Sequence, residues 1–220
     1  TQRRFAADAA HELRTPLTAL TLQIQLAERA ATPEDRARSF TRLKEGVKRA
    51  TRLVQQLLTM ARLDPDAADK PAERVELDRL AASAADELHP LADQKHIAIS
   101  TRLSPAAVSG AEDALRLLAN NLVDNAIRYT PEGGRIEVRV AREDGKSVLE
   151  VADNGPGVPP EERSRVFDRF YRAVGTEVPG SGLGLAIVHQ VASLHGGIAV
   201  LTDGLDGRGV TVRIVMPAID

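Results

Sequence analysis

His11 stands in Asp8-Ala9-Ala10-His11-Glu12-Leu13-Arg14-Thr15-Pro16-Leu17, within a helical pattern. A helix histidine is commonly structural or solvated, but these neighbours suit chemistry. Pro16 removes a helix donor and its ring presses on the carbonyl four residues back, that of Glu12, which predicts a bend beside His11. Glu12 can take or hold the proton on one imidazole nitrogen, leaving the other as a neutral nucleophile. His-Glu also opens the zinc-protease pattern, which needs a second His where Thr15 stands, so that reading fails.

Three further clusters carry polar groups at useful spacing. In Asn121-Leu122-Val123-Asp124-Asn125-Ala126-Ile127-Arg128-Tyr129 the two asparagines are four apart and share a helix face. They are either a buried pair satisfying backbone groups or a hard-cation site in which an amide oxygen ligates Mg²⁺ and phosphates complete the shell. Arg128, near that face, can meet phosphate oxygens. Asp153-Asn154-Gly155-Pro156-Gly157 follows a strand pattern. It reads as a turn, or as a buried carboxylate accepting from a purine amino group while glycines let the backbone approach. Gly180-Ser181-Gly182-Leu183-Gly184 opens a helix, where free N–H groups and the dipole favour phosphate. It lacks the Lys-Ser/Thr of a P-loop, and no strand with the dinucleotide fingerprint precedes it.

Between the last two clusters lies Phe167-Asp168-Arg169-Phe170-Tyr171-Arg172, with half of the chain's aromatics in a charged span. The aromatics form a local clamp. Arg165, Arg169 and Arg172 either face solvent or reach a triphosphate when a lid closes. His89, His96, His189 and His195 show no ligand spacing and receive no role.

The elements that must carry these residues divide the chain. From Phe5 to Leu63 the pattern is two long helices broken at Ala31-Thr32-Pro33-Glu34. Leu13, Leu17, Leu20, Ile24 and Ala27 form a heptad seam on the first, and Leu43, Val47, Ala50, Val54, Leu57 and Ala61 on the second. Thr32 is the expected cap of the second helix, with Pro33 at its first position and acids following. Two helices of about 27 residues span about 40 Å each, and a lone hairpin leaves much of that seam in water. A homodimeric four-helix bundle would cover it, as would packing on the rest of the chain. The expected domains are a hairpin at 1–64, an acidic, proline-bracketed linker at 65–72 and a unit at 73–220.

That last unit alternates helix and strand: helix Leu77–Leu88, strand Ile97–Thr101, helix Ala111–Tyr129, strands Arg135–Ala141 and Ser147–Val151 about an Asp144-Gly145 turn, helix Leu183–His195, then strands Ile198–Thr202 and Val210–Met216. This predicts a two-layer α+β sandwich. With 220 residues, no cysteine, 3% aromatics and a net charge of −2, the composition excludes disulfides, a thiolate nucleophile and a Cys-ligated metal. It also gives no nucleic-acid footprint. No signal peptide or bilayer-spanning apolar stretch is present in the sequence.

Taken in order, the five segments resemble the H, N, G1, F and G2 boxes of sensor histidine kinases of two-component systems, and the likeness runs from Arg4 to Met216. It is nearest to the branch whose phosphoacceptor helix reads His-Glu-Leu-Arg-Thr-Pro-Leu-Thr, as His11 to Thr18 do. The resemblance implies a dimerisation and phosphotransfer hairpin followed by an ATP-binding sandwich of the Bergerat type. It implies that His11 attacks the γ-phosphate of ATP with Glu12 assisting, and that the phosphoryl group then passes to an Asp of a response-regulator receiver domain. Asn125 would ligate Mg²⁺ beside Asn121, Arg128 and Arg169 would meet phosphate, and Tyr129 would line the pocket. Asp153 would read the adenine amino group, while Gly155, Gly157, Gly180, Gly182, Leu183 and Gly184 shape pocket and lid. Thr15 matches a position that helps orient water for dephosphorylating the regulator. Relatives carry an upstream membrane sensor, so the expectation is the cytoplasmic part of an inner-membrane protein.

Two rival readings of the residues stand beside this one. One is an ATPase of the same superfamily, of the gyrase and chaperone type, against which Asn121 stands where a water-activating Glu would be. The other is a silent dimeric adaptor, which would have no need of His11, Asn125, Asp153 and the glycines together.

Overall fold

The structure is a computed structural model that describes residues 2–62, 73–172 and 180–219, without the side chains of 2–8, 11, 12, 49, 52 and 59–62. The expected linker at 65–72 lies outside the described residues. The chain separates into two compact units, Thr1–Arg62 and Leu63–Asp220.

The first unit is a hairpin of α1 (Gln2–Glu28) and α2 (Pro33–Arg62). α1 continues unbroken through Pro16, so the predicted bend does not interrupt the helix. The turn is fixed by Thr32, whose Oγ1 accepts from Asp35 N at 3.1 Å and donates to the Asp35 carboxylate at 2.8 Å. This satisfies an orphan donor of the first turn of α2, where Glu34 and Asp35 also favour the helix dipole.

Packing splits each seam in two. Leu13, Leu20, Ala27, Leu43, Ala50 and Leu57 are buried or half-buried, whereas Leu17, Ile24, Val47 and Val54, which alternate with them, are exposed. A heptad places two apolar positions per repeat, and one partner helix shields only the set turned toward it. On α2 the other set continues into exposed Phe40 and Leu58.

The second unit contains β1 (Glu73–Glu76), α3 (Leu77–Asp93), β2 (Ala98–Leu103), β3 (Ala107–Gly110), α4 (Glu112–Tyr129), β4 (Arg135–Glu143), β5 (Lys146–Asp153), α5 (Gly184–Leu194), β6 (Ile198–Asp203) and β7 (Val210–Pro217). Five strands form one sheet in the order β2-β4-β5-β7-β6, antiparallel except for the β2–β4 pair. β4 and β5 are joined by the expected Asp144-Gly145 turn, with φ of 45° and 72°, the positive pair that a two-residue hairpin requires.

Two elements differ from expectation. β1 and β3, which pair antiparallel in a separate two-stranded sheet, have no counterpart in the sequence reading. α3 passes through Pro90 to Asp93 because fully buried Ala92 carries its apolar face onward.

α3, α4 and α5 pack on one sheet face, with α4 between the other two. Ile136, Val138 and Val140 of β4, Leu149 and Val151 of β5, and Val212 and Ile214 of β7 point into this layer. Leu115, Leu118 and Leu122 meet them from α4. Across the opposite face, Arg139 and Arg213 each bridge Glu143 and Glu150, with Arg139–Glu150 at 2.6 Å. The sandwich therefore holds α4, the ends of β5 and the start of α5 against one rigid sheet.

Candidate nucleotide site

Asp153 ends β5 with only 3% of its surface exposed. Its Oδ1 accepts from Gly155 N at 2.8 Å and from Val210 N at 3.3 Å. Its Oδ2 has no hydrogen-bond partner among the described residues and is not enclosed. Burial pushes the carboxyl above its ordinary pKa, and the two backbone donors pull it partly back. The result is a fixed carboxylate with one oxygen free to accept.

The surrounding backbone fits closely. A Cβ on Gly155 would lie 2.9 Å from both Asp153 Oδ1 and Tyr129 O. Gly157, at φ 81°, stacks on Gly209, whose own missing side chain leaves room for the Asp153 backbone: a Cβ there would fall 2.1 Å from Asp153 O. The β6–β7 turn is thus the floor beneath Asp153. In sequence this stretch shows only the glycines and aspartates of a turn between two strands, and nothing local reveals its contact with β5.

On α4, Asn121 donates from Nδ2 to Leu117 O at 2.8 Å and its Oδ1 approaches Gly184, where a Cβ would lie 3.4 Å away. Asn125, one turn on and half-buried, makes no side-chain hydrogen bond to a described residue. Arg128 pairs with Asp124 at 2.6 Å, one helical turn back. Burial raises the Tyr129 hydroxyl's pKa and the nearby Arg172 charge opposes it.

The glycine cluster adjoins these residues. Gly180 lies beside Tyr129, with a Cβ position 3.9 Å from its hydroxyl. α5 starts at Gly184 after fully buried Leu183, and no side chain caps its first turn, so its N–H groups remain available to an anion. Gly182, at φ 67°, accepts from Phe170 N at 3.0 Å through its carbonyl, and a Cβ there would strike the Phe170 backbone at 2.6 Å. The aromatic segment is therefore pinned to the glycine loop. Arg169 donates to Gln190 at 3.2 Å, Phe167 lies 5.7 Å from the His189 ring, and Arg165 covers the Tyr171 ring at 4.5 Å. Arg165 and Arg169 thus both contact neighbouring side chains.

His195, given no role from sequence, is structural: Nδ1 donates to Val191 O at 2.7 Å and Nε2 accepts from Ala111 N at 3.2 Å. The neutral Nδ1–H tautomer satisfies both, and it supplies the N-terminus of α4 with an acceptor that Ala111 lacks.

The structure thus brings together Asn121, Tyr129, Asp153, Gly155, Gly157, Gly180 and Gly184. His11 and Glu12 lie on α1 in the other unit, with their side chains outside the description; Thr15, one turn later, is exposed.

A long helical hairpin followed by a sandwich with a buried carboxylate and glycine-lined site defines the class, and the chain belongs to the sensor histidine kinase family. Residues 1–66 match the His Kinase A (phospho-acceptor) domain and residues 110–220 the family described as histidine kinase-, DNA gyrase B-, and HSP90-like ATPase. The chain is 42% identical to the sensor protein kinase PmrB of Pseudomonas aeruginosa over 98% of its own length and 46% of that protein. It is 35% identical to the signal transduction histidine-protein kinase/phosphatase MprB of Mycolicibacterium vanbaalenii, over 98% of this chain and 46% of the other. Among solved structures, full-length ShkA in complex with AMPPNP superposes with a TM-score of 0.69 at 30% identity, over 99% of this chain and 46% of that one. The chain spans about half the length of the curated relatives it matches. The sandwich is an ATP-using domain of this family. Among the described residues no helix is long and apolar enough to cross a membrane.

Proposed function

We propose that residues 73–220 bind Mg-ATP and transfer its γ-phosphoryl group to His11 on the hairpin 1–64, with 65–72 as the linker, and that the group then moves to an Asp of a response-regulator receiver domain. The observation that carries this is Asp153: a buried carboxylate whose Oδ1 is consumed by backbone and whose Oδ2 is free to accept from an adenine amino group. Gly155 and Gly157 let the base lie close, and Tyr129 forms the adjoining wall. Gly180, Gly182, Leu183 and Gly184 present the start of α5 to the phosphates, with Arg128 and Arg169 as the nearby cations.

The amide oxygens of Asn125 and Asn121 are hard donors that suit Mg²⁺, and Asn125 has no competing protein partner among the described residues. Bound there with the phosphates, the ion supplies charge neutralisation during transfer. The chain's own part is geometric. A neutral His11 nitrogen attacks phosphorus, the bond to the β–γ bridging oxygen breaks, ADP leaves with that electron pair, and Glu12 holds the proton on the other ring nitrogen.

The exposed half-seam Leu17, Ile24, Val47 and Val54 supports a homodimer in which a second hairpin completes a four-helix bundle. Membership of the sensor kinase family supports reading the chain as the cytoplasmic part of a protein of the bacterial inner membrane.

The test is incubation with γ-labelled Mg-ATP. Acid-labile, base-stable label on the chain, lost in His11→Gln, is expected; label retained in His11→Gln overturns the assignment, and steady phosphate release independent of His11 would make the chain an ATPase.

A second activity is favoured by Thr15, which is exposed on α1 one turn past His11 and so can reach a water on a docked regulator. Thr15→Ala is expected to slow decay of regulator phosphate without slowing autophosphorylation; an unchanged decay rate rejects the role.

A further inference from the structure

The last turn of α4 ends in carbonyls that no helical N–H can satisfy. Lys95, in the turn between α3 and β2, reaches them from 32 to 35 residues away in sequence. Its Nζ donates to Ile127 O at 2.8 Å, Arg128 O at 3.1 Å and Thr130 O at 2.7 Å. An ammonium has three donors, and all three are used here. The charge also sits at the negative end of the helix dipole. Partial burial draws its pKa below the ordinary lysine value, as expected for a side chain withdrawn from water to do this.

The three carbonyls flank Tyr129 on both sides. The one they skip, Tyr129 O, is the atom 2.9 Å from where a Gly155 Cβ would stand, against the loop that carries Asp153. Lys95 is fastened in turn, since its own carbonyl accepts from Gly133 N at 2.9 Å and Gly134 O accepts from Ala98 N at 3.0 Å, tying the segment after α4 to the start of β2.

We propose that Lys95 is a positioning residue for nucleotide binding: by clamping the carbonyls on either side of Tyr129 it sets the height of the α4 terminus against Gly155 and Asp153. This rests on the nucleotide-site reading above. Of that site Lys95 touches only the main-chain carbonyl of Arg128; it acts through the α4 terminus that carries Tyr129. Its loss lets the terminal turn fray and the Tyr129 peptide drift into the space that Gly155 keeps open.

The experiment titrates the full chain with Mg²⁺ and a non-hydrolysable ATP analogue, alongside thermal melting and the KM and kcat of His11 labelling. Lys95→Met, which keeps length but has no donor, is expected to weaken binding about tenfold, as for one lost charge-assisted contact, and to raise KM while leaving kcat unchanged. Lys95→Arg, which restores a cationic donor, is expected to recover most of that loss. A folded Lys95→Met that binds within twofold of the unaltered chain overturns the proposal, as does a fall in kcat with KM unchanged. Should Lys95→Met not fold, Lys95→Gln is read by the same criteria. An unaltered chain that fails to bind the analogue overturns the nucleotide-site reading itself, and Lys95's role with it.

Discussion

In the sandwich, Leu118, Leu149, Ile187 and Ile214 are shielded completely by residues of the same chain, whereas in the hairpin Leu17, Ile24, Val47 and Val54 keep 41 to 56% of their surface. Both regions follow the same hydrophobic rule, but a five-stranded sheet with three helices closes its own core and two helices cannot. On the proposed reading the sandwich holds its small ligand unaided, and the hairpin is half of an interface whose stability would be tied to chain concentration, while that of the sandwich would not.

The strongest way to break this contrast is to charge the exposed half-seam. In Val47→Asp combined with Val54→Asp, burying each side chain is worth about 2 kcal/mol and symmetry counts each twice, so dimer affinity should fall by at least about 10³-fold. Analytical ultracentrifugation reads the effect, and nucleotide affinity should stay within twofold.

The reverse experiment alters the sandwich alone. Asp153→Asn turns an amide N–H toward the adenine amino group, so nucleotide affinity should fall about 10- to 100-fold, with the dimer intact by the same sedimentation measurement. Because burial raises the Asp153 pKa, the nucleotide-free fold loses stability as pH rises from 3.8 through that raised value. Asp153→Asn should therefore melt higher than the unaltered chain at pH 7 in the absence of nucleotide, a direct sign that the carboxylate serves binding at a cost to the fold.

A smaller effect falls on the hairpin turn. Thr32→Ala removes the cap of α2 and should cost about 1 kcal/mol, seen in chemical denaturation of the hairpin transition and absent from that of the sandwich.

The smallest concerns Glu143, which hydrogen bonds from Arg213 and Arg139 hold below the ordinary glutamate pKa. Its contribution is present above 4.5 and lost as pH falls through the depressed value, the opposite of Asp153. Replacing it with Gln should flatten the acid limb of the sandwich's melting profile and leave the hairpin's unchanged.

Much of this was legible in the sequence because it is local. Thr32-Pro33-Glu34-Asp35, the Asp144-Gly145 turn and the α4 and α5 patterns each state their structure within a few residues. The seams were legible too, but not their division, since periodicity marks apolar positions without saying which the nearest helix covers.

Contacts closed across the chain escaped. β1 and β3 pair although Glu73-Arg74-Val75-Glu76 shows little apolar character. Gly209 matters only because β7 returns beside β5, and Lys95 only because α4 ends over the α3–β2 turn. The last two support Asp153 and Tyr129, so the sequence displayed the groups facing the ligand and hid two that hold them in place.

The central claim is that the sandwich's nucleotide is the phosphoryl donor to one residue of the hairpin. Phosphopeptide mapping at neutral pH, after incubating the full chain with Mg-ATP, tests it most directly. The account predicts a phosphoramidate on the peptide containing His11, formed far more slowly when Asp153 is Asn and absent when His11 is Gln. Phosphate on any other residue, or free phosphate accumulating with His11 unmodified, would contradict it.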